Sequence, residues 1–351
     1  MAIDREHYRL SFLDQMGVQL VEARRLAKSG TVARERVALL LLDQAAETLL
    51  RKSAETFLER AQLYNNLYRK VQHAPADDVQ GQELKRESSA RTVSRTREKR
   101  VERDFNELVD FVFEQESWPL KPAFAGCVKV LHRFRNEVYH RDQVRPDVIA
   151  EAVTIYAYLV AHLLRHRQAI AYVIEPPPPG AIEFLGEDGV PDGYLGLPAQ
   201  HFGNVESAMA DRLLRDFVLD HGGISHALST HLLGRLDSIE RDLRDIADYL
   251  CPIPVPGREF AVRICQCSED ELAATEPPAD FWEREFGVTT SSLDAWRVAT
   301  ERLADHEDSL TALEGFGRLE QEVASFERRA TRVAIEVDRA AQHDIDLARG
   351  K

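Results

Sequence analysis

The sequence predicts an all-α protein, in which a helical bundle is followed by a second, mostly helical and coiled-coil-like module. Apolar residues recur at helical spacing along much of the 351 residues, and no segment alternates apolar and polar residues with a period of two. Residues 175–198 hold six prolines and five glycines, a composition that cannot continue a helix. We therefore expect a bundle over residues 1–174, a linker over 175–200 and an acidic interaction or regulatory module over 201–351.

Composition and charge favour a soluble cytoplasmic protein with two different halves. The hydrophobic content is 44%, the apolar runs are shorter than the ~20 residues of a membrane span, and four cysteines do not suggest a disulfide framework. The net charge of −14 is uneven, because residues 1–175 carry 28 basic against 25 acidic residues and the remainder carries 17 against 34. A polyanion would be attracted to the first half and repelled by the second.

The first half is expected to contain roughly four to six helices. Helical spacing covers residues 5–29 and 31–72, resumes over 84–114 and again from Pro122, and continues over 146–170. In the strongest segment, six apolar residues are expected to form a buried stripe: Val37, Leu40, Leu41, Ala45, Leu49 and Ala54.

Two coiled-coil-like seams are predicted in the second module, and each should pack against another helix of this chain or of a partner. The first seam consists of Leu232, Leu236, Ile239, Leu243, Ile246 and Leu250. The second consists of Phe316, Leu319, Val323, Phe326, Ala330, Val333 and Val337. Between the seams, residues 251–267 are expected to be extended, as a small hairpin.

The segment "VLHRFRNEVYHRD", residues 130–142, concentrates two histidines and three arginines in an acidic chain. On a helix, His132, Asn136 and His140 lie along one face, because they are four residues apart. The five residues from Arg135 to His140 turn a helix by about 500°, which leaves the two side chains about 140° apart. Either the helix loosens before His140, or a second copy of the chain supplies the missing side of the site.

A histidine and an arginine that converge on a phosphodiester form a plausible catalytic pair. Neutral imidazole can accept a proton from a ribose 2′-OH, and a guanidinium can stabilise the charge on the phosphorus centre. No metal is required when the nucleophile is the hydroxyl of the substrate itself. The alternative is a solvated helix end, where cations are favoured by the helix dipole.

Two segments resemble the HEPN superfamily. "RNEVYH", residues 135–140, resembles the Arg-X4–6-His signature of the family, in which a polar residue such as Asn commonly follows the arginine. Upstream, "ALLLLDQAAETLLRKSAE" resembles an earlier HEPN helix, matched by Leu42, Asp43, Ala45, Glu47 and Leu50. The resemblance covers residues 30–170.

The resemblance implies a metal-independent endoribonuclease that needs no cofactor, acts on RNA and forms a homodimer through the bundle. Such proteins serve as toxins or in antiphage defence, and a protein partner or antitoxin would then bind the C-terminal helices. Asp142 stands where some relatives carry a tyrosine that an antitoxin modifies, so that form of control is not expected. The site residues implied are Arg135, His140 and Asn136 as catalytic groups, His132, Arg133 and Arg141 as substrate contacts, and Asp43 and Glu47 as support.

Several features have a second interpretation. Many HEPN domains are non-catalytic, so the alternative function is a dimeric helical adaptor that binds a partner or nucleotide. Asp43 and Glu47 could instead hold an arginine of the bundle. The basic segment Lys85–Arg103 could bind the RNA backbone or form a salt-bridged exposed helix. A zinc site at Cys251, Cys265 and Cys267 lacks the usual ligand spacing.

Overall fold

The all-α class is confirmed by the computed structural model, in which the described residues form helices and no strand. The chain divides into two compact units, Met1–Asp220 and His221–Lys351. The structure describes residues 12–75, 78–115, 122–140, 146–166, 179–186, 189, 200–217, 221–250, 257–272 and 279–349.

Unit 1 is organised around two long helices, α2 and α7, which pack against each other. Helix α2 also contacts α1, α3, α5 and α6, so it forms one wall of the core. The helices of this unit are α1 Phe12–Ala27, α2 Val32–Val71, α3 Val79–Ala90, α4 Arg95–Arg103, α5 Phe105–Phe113, α6 Pro122–His140, α7 Pro146–His166, α8 Pro179–Leu185 and α9 Gln200–Asp216.

The segment 84–114, predicted as one helical stretch, is divided among α3, α4 and α5. Polar side chains begin the later two helices: Ser94 accepts a hydrogen bond from the backbone N–H of Arg97, and Asp104 accepts one from that of Glu107. Such N-caps satisfy backbone donors that have no partner within the helix, so they favour a new helix start.

The predicted stripe of α2 is confirmed in part, since Ala45, Leu49 and Ala54 are buried. Val37 is 43% exposed, whereas Leu39, Leu42 and Asp43 are fully buried. The helix touches other elements on several sides, so its buried surface is wider than a single stripe. This wider buried surface includes the carboxylate of Asp43.

Helix α7 is the most buried helix segment of unit 1. Its stretch Val148–His166 is long and apolar enough to cross a membrane by length and composition, which the apolar runs of the sequence did not suggest. However, 72% of its most apolar window is buried within the protein, as is usual for the core helix of a bundle.

The division between the two compact units falls after Asp220, and the proline-rich segment predicted as a linker over residues 175–200 belongs to unit 1. Helix α8 lies inside that segment and packs on α1. Two glycines permit the close approach, since a Cβ at Gly17 would lie only 2.1 Å from the carbonyl oxygen of Gly180. Buried Asp14 accepts a hydrogen bond of 2.6 Å from the Gly180 N–H.

Unit 2 is built on the two predicted seams, which pack against each other within the chain. All seam residues are buried or partly buried except Leu250, which is 39% exposed. Residues 257–264 form a helix, so the prediction of an extended segment was wrong there. The elements are α10 His221–Leu250, α11 Gly257–Ile264, α12 Glu269–Leu272, α13 Thr290–Glu301, a short 3-10 helix Arg302–Asp305 and α14 Ser309–Ala348.

A buried ionic group interrupts the apolar seam of unit 2. Arg235 of α10 lies 3.1 Å from Glu320 and 2.7 Å from Glu327, both on α14. Burial would lower the pKa of Arg235, but the charges and hydrogen bonds of the two glutamates outweigh it and raise the pKa. The group fixes the register of α10 on α14, because any slip would leave a buried charge unpaired.

Candidate functional site

The carboxylate of Asp43 joins the two segments that resemble HEPN sequences. Its Oδ2 accepts from Arg135 through Nε at 2.7 Å and lies 2.6 Å from Nη2. Its Oδ1 lies 2.8 Å from Nδ1 of His132 and accepts a hydrogen bond from the hydroxyl of Tyr156. Three helices, α2, α6 and α7, therefore meet at one fully buried carboxylate.

Because the Asp43 carboxylate is buried, its charge has to be compensated by the residues that bind it. An ionised carboxylate in a protein interior is costly unless it is paired and hydrogen-bonded, and here both oxygens are. Burial, together with the charge of Asp43, raises the pKa of Tyr156 well above its ordinary value of 10.0. Tyr156 therefore stays protonated at neutral pH and acts as a hydrogen-bond donor.

Arg135 is oriented on a second side by its neighbour in the sequence. Its Nη1 donates to Oδ1 of Asn136 at 2.7 Å, and its side chain is 16% exposed. Among the described residues, three of the five guanidinium N–H groups thus have acceptors. The other N–H groups can reach a ligand only through the narrow exposed part of the side chain.

His132 is fixed by a stacked ring as well as by Asp43. Its imidazole lies parallel to the ring of Phe105, with centroids 3.7 Å apart and planes 14° apart. The side chain is 18% exposed. His132 therefore lies at the edge of the buried network, between Asp43 and the first residue of α5.

The C-terminal turn of α6 is held by a residue of α2. Nη2 of Arg36 donates to the backbone carbonyl of Val138 at 2.7 Å. The last four carbonyls of a helix have no N–H donor within it, and a cation there also interacts favourably with the helix dipole. Arg36 thus caps the turn that carries His140.

The other predicted site residues lie outside the network around Asp43 or outside the described residues. Arg133 is exposed on α6, and Glu47 forms a 2.7 Å ion pair with Arg51 rather than with Arg135. His140 is the last residue of α6, and its side chain, like Arg141, lies outside the described residues. Asp43 is thus the member of the predicted acidic pair that binds Arg135.

Helix α6 continues without interruption through His140. Of the two geometries left open by the sequence, a helix that loosens before His140 is therefore not observed. Within one copy of the chain, Arg135 and His140 remain about 140° apart around the helix axis.

The cysteines considered for zinc lie in a different environment. Cys265 and Cys267 are buried in the apolar core of unit 2, and burial raises the pKa of Cys265 to about 12. Cys251 lies outside the described residues. Across the described part of the chain, no group of three His, Cys, Asp or Glu residues is placed to hold a metal ion.

Tyr156, Phe105 and Arg36 were not found from the sequence. Tyr156 lies in the apolar run "VTIYAYLVAHLL", where a tyrosine is an ordinary core residue. Phe105 and Arg36 show no spacing that links them to residues 130–142. Their roles depend on tertiary contacts alone.

No protein-family model, curated protein or solved structure matches this chain. The HEPN resemblance therefore depends on the motif residues of the sequence alone.

Proposed function

We propose that this chain is a metal-independent endoribonuclease in which Arg135 and His140 act on the ribose 2′-OH and the adjacent phosphodiester of RNA. One observation carries the proposal. The two segments that resemble HEPN sequences converge in space, because Asp43 of the first binds Arg135 of the second across 92 positions. A buried carboxylate that fixes a guanidinium can direct the remaining N–H groups towards a phosphate.

The chemistry follows from the two side chains. His140, as neutral imidazole, accepts the proton of the 2′-OH while the oxygen attacks phosphorus. The bond from phosphorus to the 5′-oxygen breaks, and that oxygen takes up a proton. Arg135 stabilises the charge that develops on the non-bridging oxygens. The products are a 2′,3′-cyclic phosphate and a 5′-OH end.

In this proposal, a homodimer completes the site through the face of α6 that carries His132, Asn136 and His140. The uninterrupted helix keeps Arg135 and His140 of one copy apart, so a two-fold partner would supply the complementary residue. Arg133 and Arg141 would contact the substrate, and a protein partner or antitoxin would bind unit 2. We assign the protein to the cytoplasm, as a toxin or an antiphage-defence effector.

A specific observation favours a second candidate, a non-catalytic HEPN-like adaptor. The side chains of Arg135 and His132 are only 16% and 18% exposed, and both are bound to Asp43. The same network would stabilise a bundle that dimerises without cleaving RNA.

Purified full-length protein, incubated with single-stranded RNA in EDTA, separates the two candidates. His140→Ala should lower the cleavage rate by about 10²–10⁴-fold, the usual contribution of proton transfer. Arg135→Ala should cost a comparable factor, and Arg135→Lys should restore little, because an ammonium cannot replace the planar fork. His226→Ala, at an exposed position of unit 2, is the matched control and should cleave normally. A folded, dimeric wild-type protein without cleavage activity would favour the adaptor.

A further inference from the structure

We infer that the outer face of α4 is a binding surface for the RNA backbone that leads to the Arg135 site; this inference rests on the proposed function. Arg95, Lys99 and Arg103 are four residues apart on α4. Each step turns the helix by about 40°, so the three cations form one stripe about 12 Å long. We call these three residues the α4 stripe.

The α4 stripe faces solvent. All three side chains are exposed, and none forms an ion pair with another described residue. Val101, two positions after Lys99 and therefore about 160° away around the axis, is 2% exposed and packs inward. The stripe is therefore free to bind an anion.

Other charged residues of α4 hold the helix in place. Arg97 pairs with Glu107 at 3.3 Å and with Glu114, and its guanidinium lies over the ring of Phe111. Glu98 accepts a hydrogen bond from Gln62 of α2. The basic segment thus contains both kinds of residue that the sequence suggested: cations that anchor the helix and cations that face solvent.

The C-terminal end of the α4 stripe adjoins the candidate site. Arg103 is two residues before Phe105, whose ring stacks on His132 at 3.7 Å. Nη1 of Arg51 donates to the carbonyl of Glu102 at 3.1 Å, and the same arginine pairs with Glu47. The end of α4 is thus tied to α2 at Arg51, about two turns from Asp43.

This arrangement fits a single strand of RNA whose phosphates follow α4 away from the site. The α4 stripe carries no aromatic side chain, so it would contact the backbone and not read bases. Each phosphate contact releases counterions, and the binding should therefore weaken as salt increases. Glu102 is exposed beside the stripe and should oppose the binding.

The test uses the full-length chain with Arg95→Gln, Lys99→Gln and Arg103→Gln combined. Binding of a 20-nucleotide, 2′-O-methylated RNA is followed by fluorescence anisotropy at several salt concentrations. The slope of log Kd against log salt should become shallower by about 2, since each contact to a single strand contributes about 0.7. With cleavable RNA, KM should rise while kcat changes less than about twofold, because uniform binding is lost. Glu102→Gln removes a negative charge beside the stripe and should lower Kd.

A matched control removes three exposed or half-exposed cations elsewhere in unit 1, by Arg25→Gln, Lys28→Gln and Arg215→Gln. The salt slope of this variant should stay close to that of the wild type. A dinucleotide substrate, too short to reach the α4 stripe, should be cleaved equally by wild type and both triple variants. Two results would overturn the inference while the wild type still cleaves RNA. One is an equal loss of RNA affinity in the two triple variants, and the other is an unchanged Kd and salt slope in the stripe variant. A wild type that neither binds nor cleaves RNA would instead refute the proposed function.

Discussion

The guanidinium of Arg135 lies 2.6 Å from the carboxylate of Asp43, although 92 positions separate the two residues. Asp43 is fully buried, so its charge depends on this arginine and on the hydrogen bonds of His132 and Tyr156. The pair connects the stability of unit 1 with the orientation of the proposed catalytic arginine.

Asp43→Asn should affect stability and activity together. The amide keeps the shape of the side chain but leaves the partly buried charge of Arg135 without a counterion. Such a loss costs about 3–5 kcal/mol for a fully buried pair, which is the upper bound here. RNA cleavage should fall about as far as in Arg135→Ala. Urea denaturation and single-turnover cleavage measure the two effects. The control is Asp110→Asn, whose partner Lys129 lies at the surface, and it should lose less than about 1 kcal/mol. An Asp43→Asn protein as stable and active as wild type would contradict the role of the pair.

Tyr156 should make the free energy of unfolding depend on alkaline pH. Because the pKa of Tyr156 is higher in the folded than in the unfolded chain, its stabilisation is complete below about pH 10 and is lost as the pH rises through the folded pKa. Tyr156→Phe should lose about 1.5–3 kcal/mol at pH 7, the usual value for a hydrogen bond to a charged group. The difference from wild type should shrink between pH 10 and 11. Tyr139→Phe, at a side chain that is 57% exposed, is the control. A difference in unfolding free energy between Tyr156→Phe and the wild type that does not change with pH would contradict the raised pKa of Tyr156.

Arg36 should act as a positioning residue through the last turn of α6. Arg36→Met removes the hydrogen bond to Val138, at a cost of about 1 kcal/mol, and frees the turn that carries His140. We expect kcat to fall on the order of tenfold with KM little changed, since small misplacement of a catalytic group is costly. Arg36→Lys keeps a donor and should recover most of kcat, which a loss of packing would not explain. An unchanged kcat in Arg36→Met would show that the cap does not position the site.

The proposed dimer can be tested by mixing two inactive variants. Arg135→Lys retains the charge that Asp43 requires, and His140→Ala removes the base. If each site combines an arginine from one copy with a histidine from the other, an equal mixture should recover about a quarter of the wild-type rate, because half of the dimers then contain one intact site. Each variant alone should stay inactive. No recovery after subunit exchange, shown by co-purification of two tags, would contradict a shared site.

The helical class and the two seams were predicted well from the sequence. An apolar pattern that repeats every seven residues buries one side of a helix against a single partner helix, so it identifies the buried side directly. Leu236 and Val323 are buried as expected. The same reasoning succeeded only in part for α2, which is covered on several sides. Ala45, Leu49 and Ala54 of the predicted stripe are buried, but Val37 is exposed. Apolar spacing predicts reliably that a helix is buried, but it predicts less reliably which side of the helix is buried.

The candidate site was predictable only in part. The motif residues directed attention to Asp43 and Arg135, and one interpretation of the acidic pair was that it holds an arginine of the bundle, but the sequence did not indicate which arginine. Tyr156 and Phe105 could not be found, since tyrosine in an apolar run and phenylalanine after a cap are ordinary residues. The close packing of Gly180, in the proline-rich segment, on Gly17 could not be predicted either, because composition does not encode such a contact.

Cleavage of one defined RNA in EDTA tests the central claim most directly. The substrate is prepared with ribose throughout, or with a single 2′-deoxy sugar at the mapped cleavage position. We predict that the wild type cuts the first RNA to a 2′,3′-cyclic phosphate and a 5′-OH end and leaves the modified bond intact, and that His140→Ala cuts neither RNA. Cleavage at the 2′-deoxy position, or full activity of His140→Ala, would contradict it.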